Sequence, residues 1–420
     1  MAIKVNPEIL IWARATAALS VEEAAPKLGL TSSKRSTAAD KLKALEAGEK
    51  LPTTNQLEDM ARVYRRPLTA FYLAAPPRPA PRGQDFRQTP DRHTPRENAL
   101  LDALLRDVSV RQSTVRDLLE DDEDFEAPDF VGSITLAQGV KHAVSAIAEG
   151  LGFDHTDAML RRGNADDLFR RLRTAVQDAG VFVLILGDLG SHHTAIPAKV
   201  FRGFSMADDI APFVVINGRD ARPARAFTLI HELTHIWLGQ TGVSDSVSIA
   251  DPKNENAQIE RFCDDVAGEF LLPGRRFMQG VASFDGGDVE AARSATEKIA
   301  RRWSVSEPMV AYRLKRTGDL TSDTYNALHR EYAGRWNAKL ERDRRNREER
   351  KSKGPSTHVV KTFNLGEALM QLVHRTVREN TLSHTKAAMV LGSNPGSVEP
   401  LLRNFEDKRS SFVSEIESGN

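Results

Sequence analysis

The middle of the chain reads Phe227-Thr-Leu-Ile-His-Glu-Leu-Thr-His-Ile-Trp-Leu-Gly239 and contains the pattern H-E-x-x-H. On a helix, His231 and His235 lie one turn apart on the same face. Two imidazoles in that arrangement can bind one Zn²⁺, and Glu232 is then placed to act as general base on a water molecule. The apolar residues around the motif predict a buried helix that ends at Gly239.

A catalytic zinc site needs a third protein ligand, and the segment from Glu260 to Pro273 predicts a second helix downstream. Glu260 is the favoured third ligand. Asp264, one turn further along, is predicted to accept a hydrogen bond from a ligand histidine. Three acidic residues of a polar loop compete for the ligand role: Asp245, Asp251 and Glu255. Without a third ligand, the two histidines would be hydrogen-bonded core residues beside a surface glutamate.

Together these motifs resemble the ImmA/IrrE metallopeptidases, over roughly residues 1–75 and 165–320. The resemblance lies in three sequences: His231-Glu-Leu-Thr-His235, Glu260-Arg-Phe-Cys-Asp-Asp-Val-Ala267 and Leu271-Leu-Pro273. Two residues depart from the family pattern, because Thr234 stands where glycine is usual and Asp264 where asparagine is common. The resemblance implies a zincin-like peptidase domain with Zn²⁺ as cofactor, bound by the two histidines and Glu260, with Glu232 as catalytic base.

Residues 1–75 predict five short helices, punctuated by Pro7, a capping box at Ser20-Val-Glu-Glu23 and Gly29. Glu46-Ala-Gly-Glu-Lys-Leu-Pro52 matches the E-x-G-x-x-x-P of the XRE-type helix-turn-helix fold, which members of the family carry at the N-terminus. The third helix and the turn before it are expected to contact DNA. The candidate DNA-binding residues are Ser33, Lys34, Arg35, Ser36, Thr37 and Lys41. The charge here is mild, with 11 basic against 8 acidic residues, so a scaffold or dimerisation role stays open.

The fold class is predicted as α+β, with an all-helical N-terminal domain, a peptidase domain and a helical C-terminal region. Three short apolar segments, 181–186, 200–206 and 213–216, predict a three-stranded sheet packed against the H-E-x-x-H helix. The predicted boundaries are 1–75 for the XRE-like domain, 76–95 for a proline-rich linker, 96–320 for the peptidase domain, 321–354 for a charged helix and 355–420 for a small helical unit.

Composition adds little about partners, because 58 basic residues balance 58 acidic ones. The single cysteine, Cys263, excludes an internal disulfide. The sequence shows no secretory signal and no apolar run of membrane-spanning length, which predicts a cytoplasmic protein that does not bind membranes.

The leading hypothesis is a zinc-dependent metalloendopeptidase fused to a DNA-binding module. The resemblance implies cleavage of a repressor-type regulator in a stress, phage or mobile-element response. The alternative is an antitoxin or transcription regulator of a toxin–antitoxin-like system, whose peptidase-like domain serves partner binding. The expected partners are DNA and an XRE-type repressor or a cognate toxin, and homodimerisation is also open.

Overall fold

The computed structural model describes residues 4–77, 84–85, 93–152, 163–244, 254–349 and 356–417 of the chain. It is an α+β structure, mostly helical, that divides into two compact units. The first unit comprises Met1–Arg82, Thr89–Asp107 and Ser191–Ile196. The second comprises Gly83–Gln88, Val108–Gly190 and Pro197–Asn420.

The five helices predicted for residues 1–75 are present in the first unit. They are α1 (Pro7–Thr16), α2 (Val21–Lys27), α3 (Ala38–Glu46), α4 (Thr54–Tyr64) and a short 3-10 helix (Leu68–Tyr72). The α-helices begin at capping side chains that accept a hydrogen bond from a backbone N–H of the first turn: Asn6, Ser20, Thr37 and Thr53. Their apolar faces meet in a small core that includes Leu10, Leu42, Leu57 and Phe71.

The E-x-G sequence of this unit has a direct structural reason. Glu46 is buried and accepts two hydrogen bonds from Arg14, at 2.7 and 2.9 Å, which ties α3 to α1. Gly48 has a φ of +73°, and a Cβ there would lie 3.0 Å from Pro7 Cγ. A larger residue at position 48 would therefore meet both backbone strain and the first turn of α1.

The second unit contains the sheet and the remaining α-helices, except that the helix Pro95–Glu120 is divided and its residues up to Asp107 belong to the first unit. The strands are β1 (Gln84–Asp85), β2 (Phe182–Leu186), β3 (Gly203–Met206), β4 (Phe213–Asn217) and β5 (Gly242–Ser244). The helices after α4 are α5 (Pro95–Glu120), α6 (Gly139–Gly150), α7 (Ala165–Asp178), α8 (Arg225–Trp237), α9 (Glu255–Leu271), α10 (Val289–Trp303), α11 (Glu307–Arg316), α12 (Ser322–Glu349), α13 (Thr357–Leu365), α14 (Glu367–Arg378), α15 (His384–Leu391) and α16 (Val398–Glu417).

The sheet has five strands in the order β1-β5-β3-β4-β2. The three predicted strands form its β3-β4-β2 part, in which β3 pairs antiparallel with β4 and β2 pairs parallel with β4. The expectation of a three-stranded sheet was wrong, because β5 adds antiparallel to β3 and β1 adds parallel to β5. Both extra strands are only two or three residues long, too short for a periodic hydrophobic signal.

Helix α8 packs against β3 and β4 on one side and against α9 on the other. The core around it draws apolar side chains from α6, α7, β2, β4 and α8 to α12. The charged helix α12 joins this core through its first turns, where Tyr325, Leu328 and Tyr332 are buried. The buried layers therefore hold α8 and α9 against each other, and this sets the geometry of the site.

The C-terminal helices α13 and α14 lie against strand β2 of the same unit. Arg173 of α7 connects α13 to the sheet, since its guanidinium donates to the carbonyls of Val183 in β2 and of Phe363 and Asn364 in α13. Most of the predicted linker, 76–95, lies outside the described residues, as does the end of the charged segment, 350–354. Among the helices that the structure describes, none combines the length and the apolar character that crossing a bilayer requires.

Candidate metal centre

Helix α8 carries the H-E-x-x-H motif and is buried almost along its whole length. It begins after a turn that contains Pro223 and ends at Gly239, whose φ is +68°. The loop from Phe130 to Ile134 closes that end: Gly132 and Ile134 donate to the last carbonyls of the helix, and Phe130 stacks on Trp237 at 3.8 Å. The predicted buried helix and its glycine stop are therefore confirmed.

Helix α9 supplies the carboxylates. Asn254 caps its first turn, and the helix ends before Pro273. Glu260 and Asp264 lie one turn apart on the face that meets α8, and both are buried. Cys263 is fully buried in a small apolar cluster with Ile259, as expected for a core residue.

The structure brings His231, His235 and Glu260 together, with one possible ligand atom of each within 4.8 Å of the others. The two histidine Nε2 atoms are 3.3 Å apart. His235 Nε2 lies 3.0 Å from Glu260 Oε1, and His231 Nε2 lies 3.4 Å from Glu260 Oε2. Two corners of a zinc tetrahedron are separated by roughly 3.3–3.4 Å when each bond is about 2.0–2.1 Å long. The three donors therefore have the chemistry and the spacing of a zinc site.

Glu232 lies in a space that strand β3 leaves for it. A Cβ on Gly203 would come within 2.6 Å of Glu232 Oε1 and 2.8 Å of Thr228 Cγ2, so only glycine fits there. Both carboxylate oxygens of Glu232 are buried and make no hydrogen bond of good geometry within the described residues, although the Ser244 and Ser205 hydroxyls lie near enough to oppose the rise of its pKa. A buried carboxylate with so little hydrogen bonding is costly, which points to a partner that arrives with the ligand or substrate.

The electrostatics follow from burial and from the pairing of opposite charges. Burial raises the pKa of Glu232 to about 8, against the smaller opposing effect of His231. Burial also opposes ionisation of Glu260, but the facing imidazoles outweigh it and lower the pKa of this carboxyl to about 2. Burial lowers the pKa of His235. Glu260 is therefore ready as an anionic ligand, whereas Glu232 can change its protonation near neutral pH.

Asp264 lies behind the first histidine. His231 Nδ1 donates to Asp264 Oδ1 at 2.9 Å, which leaves Nε2 turned toward His235 and Glu260. Such a carboxylate fixes the tautomer and the orientation of a ligand imidazole. Burial raises the pKa of Asp264 to about 6.

Of the other acidic candidates, Glu255 is exposed in the first turn of α9 and takes no part in this cluster. Asp245 and Asp251 lie outside the described residues.

Sequence reasoning missed Ser244. Its hydroxyl lies 3.2 Å from His231 Nε2 and donates to Glu260 Oε1 at 3.3 Å. The residue is buried at the end of β5, a strand too short to be predicted. Only its position a few residues after the H-E-x-x-H motif could have suggested a role.

The candidate DNA-binding residues surround a tight turn before α3. Ser33 pairs with Ser36 across this turn, whereas Lys34 and Arg35 are exposed at its tip. Thr37 caps α3, and Lys41 Nζ donates to the Thr31 carbonyl at 2.6 Å. These contacts give Thr37 and Lys41 local structural roles.

Comparison with known proteins identifies part of the second unit. Residues 187–315 match the peptidase M78 family model, described as the IrrE N-terminal-like domain. His231, Glu232, His235 and Glu260 all lie within the matched segment. This segment is therefore similar to the metallopeptidase domain of the ImmA/IrrE kind. Searches of curated proteins and of solved structures found no match to this chain.

Proposed function

We propose that this protein is a zinc-dependent metalloendopeptidase. The observation that carries the proposal is the buried convergence of His231, His235 and Glu260 at tetrahedral spacing, with the buried carboxylate of Glu232 on the helix that carries the two histidines. Two imidazoles and one glutamate form the ligand set of known zinc peptidases, and the adjacent glutamate is their general base. The match to the M78 family agrees with this assignment.

A zinc ion bound there would supply a Lewis acid that polarises the scissile carbonyl and lowers the pKa of water. Glu232 takes a proton from the attacking water and passes it to the leaving amine nitrogen. Asp264 holds the His231 ring so that Nε2 faces the ligand position.

The substrate we propose is a repressor-type regulator, cleaved in a stress, phage or mobile-element response. The support is the resemblance of the motifs to ImmA/IrrE peptidases that carry an XRE-type module. In this proposal the first unit binds DNA through the turn before α3, and Lys34 and Arg35 at its exposed tip contact phosphates. An XRE-type regulator and DNA would then be the two macromolecular partners.

The test is to co-express the full chain with XRE-type regulators encoded beside its gene, and to measure bound zinc and regulator cleavage together. Glu232→Gln should retain zinc and lose cleavage by about a hundredfold to ten-thousandfold, the usual contribution of a general base. Glu255→Gln is the matched control, because Glu255 is exposed on α9, and it should cleave like wild type.

Three outcomes separate the alternatives. Cleavage by wild type and Glu255→Gln, but not by Glu232→Gln, supports the peptidase. Zinc binding without cleavage of any neighbouring regulator contradicts the proposed substrate and favours an antitoxin or regulator whose domain binds a partner. Absence of zinc from the wild-type protein contradicts the assignment of His231, His235 and Glu260 as a zinc site.

A further inference from the structure

Ser244 faces the metal centre because of strand register. It is paired with Gly203 across β5 and β3, and directly opposite residues project to the same face of a sheet. Glu232 occupies the space that the missing side chain of Gly203 leaves on that face. The Ser244 side chain therefore points to the side of the sheet on which α8 lies.

The Ser244 hydroxyl repeats the spacing of the three candidate ligands. Its Oγ is 3.2 Å from His231 Nε2 and 3.3 Å from Glu260 Oε1. Among the candidate ligands, the two histidine Nε2 atoms are 3.3 Å apart, His235 Nε2 is 3.0 Å from Glu260 Oε1, and His231 Nε2 is 3.4 Å from the other oxygen, Glu260 Oε2. Corners of a zinc tetrahedron lie roughly 3.3–3.4 Å apart. The distances from Ser244 Oγ to His231 Nε2 and to Glu260 Oε1 are therefore those expected between two corners of one zinc tetrahedron.

We propose that Ser244 Oγ is the fourth donor of the resting metal centre, in the position that water takes in an open site. The inference rests on the proposed function, because it requires a metal at the three ligands. A neutral hydroxyl is a weaker ligand than imidazole or carboxylate, so water or a peptide carbonyl can displace it. Ser244 is therefore a residue that controls access to the metal.

Backbone hydrogen bonds fix the position of Ser244, but its side chain can rotate about one torsion. The Arg202 N–H donates to the Ser244 carbonyl at 2.9 Å, and β5 is paired on both sides, with β3 and with β1. Serine has a single heavy-atom side-chain torsion with three staggered positions. One rotation of this torsion moves Oγ away from the metal position without moving the strand.

Ser205 provides a matched control on the neighbouring strand. It is paired with Gly242 in the same register, so it projects to the same face as Ser244, and it is equally buried. Both hydroxyls lie near the Glu232 carboxylate. That of Ser205 donates to the Gln240 carbonyl at 3.4 Å, whereas that of Ser244 donates to the candidate ligand Glu260. A substitution that acts only through packing of this face should have similar effects at the two positions.

The direct test replaces zinc by Co²⁺ in the full-length protein and records the absorption spectrum of Ser244→Cys. A thiolate bound to cobalt gives an intense near-ultraviolet charge-transfer band, so Ser244→Cys should gain this band. Wild type sets the baseline, since it already contains the buried Cys263, and Ser205→Cys should match that baseline.

A second measurement titrates azide into the Co²⁺ proteins and follows the visible bands. If the hydroxyl occupies the fourth position nine-tenths of the time, removing it in Ser244→Ala tightens azide binding by about tenfold. Ser244→Thr keeps a hydroxyl and should bind azide like wild type, and Ser205→Ala should also leave the affinity unchanged.

A charge-transfer band in Ser244→Cys together with tighter azide binding in Ser244→Ala supports the assignment. Wild-type azide affinity in Ser244→Ala, with no new band in Ser244→Cys, overturns it while the three-ligand site stands. Failure of the wild-type protein to bind Co²⁺ or Zn²⁺ overturns the proposed function, and the Ser244 assignment falls with it.

Discussion

Two regions of this molecule carry predicted functional residues, and they differ in how the fold holds them. At the metal centre, His231, His235 and Glu260 are buried on two packed helices and face one another. In the turn before α3, Lys34 and Arg35 are exposed at the tip of a local bridge. Polar groups removed from water need partners, so their convergence in the core is informative. Exposed cations are solvated already, and their position alone indicates no ligand.

The largest expected effect lies at the centre of the buried cluster. His235→Ala removes one of the three candidate ligands. Loss of a residue that only orients a ligand lowers metal affinity by up to about a hundredfold, so loss of a ligand should lower zinc affinity by at least that much. Competition with a chromogenic chelator measures the affinity. His384→Ala is the control, since His384 is exposed on α15, and it should bind zinc like wild type. Equal affinities in the two variants would remove His235 from the site.

The next effect tests the space reserved for Glu232. Gly203→Ala places a methyl group 2.6 Å from Glu232 Oε1, so we expect a loss of about 1–3 kcal/mol in the free energy of unfolding, together with lower peptidase activity. Gly334→Ala is the contrasting control, because its Cβ meets nothing within 4 Å in helix α12. That change should stabilise the protein by about 0.5–1 kcal/mol. Thermal unfolding of both variants measures whether each change lowers or raises the stability.

A smaller effect concerns burial in the first unit. Glu46→Gln weakens a paired carboxylate whose side chain is 7% exposed, and it should reduce the local stability of α1 and α3 by about 1 kcal/mol. Amide hydrogen exchange of these helices measures the change. Glu22→Gln alters an exposed pair with Lys43 at 3.8 Å and should change exchange little. If both variants lost hydrogen-exchange protection to a similar extent, the buried Glu46 pair would contribute no more to stability than the exposed Glu22 pair.

The smallest effect on stability belongs to the exposed turn. Lys34→Ala and Arg35→Ala should change the free energy of unfolding by less than about 0.5 kcal/mol. If they contact phosphates, each should weaken DNA binding and reduce its salt slope by about one. Fluorescence anisotropy at several salt concentrations measures this.

Thr37→Ala in the same turn distinguishes an effect on DNA contact from an effect on folding, because Thr37 caps α3. Its loss should cost about 1 kcal/mol of stability. DNA affinity that is indifferent to Lys34 and Arg35 would leave the turn as a structural element of the unit.

The sequence by itself determined the buried helix around His231, its end at Gly239 and the spacing of the two histidines, because helical periodicity and capping are local. It also indicated the second helix with Glu260 and Asp264, and the five N-terminal helices with the capping box at Ser20. These features depend on contacts within a few residues, which a linear pattern records.

Only the tertiary structure decided how distant segments meet at the site. Strands β1 and β5 are too short to leave a hydrophobic pattern, and they are strands only because β3 offers an edge for β5. The same pairing sets Ser244 opposite Gly203 and places its hydroxyl beside His231 and Glu260. Register between strands is a long-range property, and it depends on backbone hydrogen bonds that no local pattern encodes.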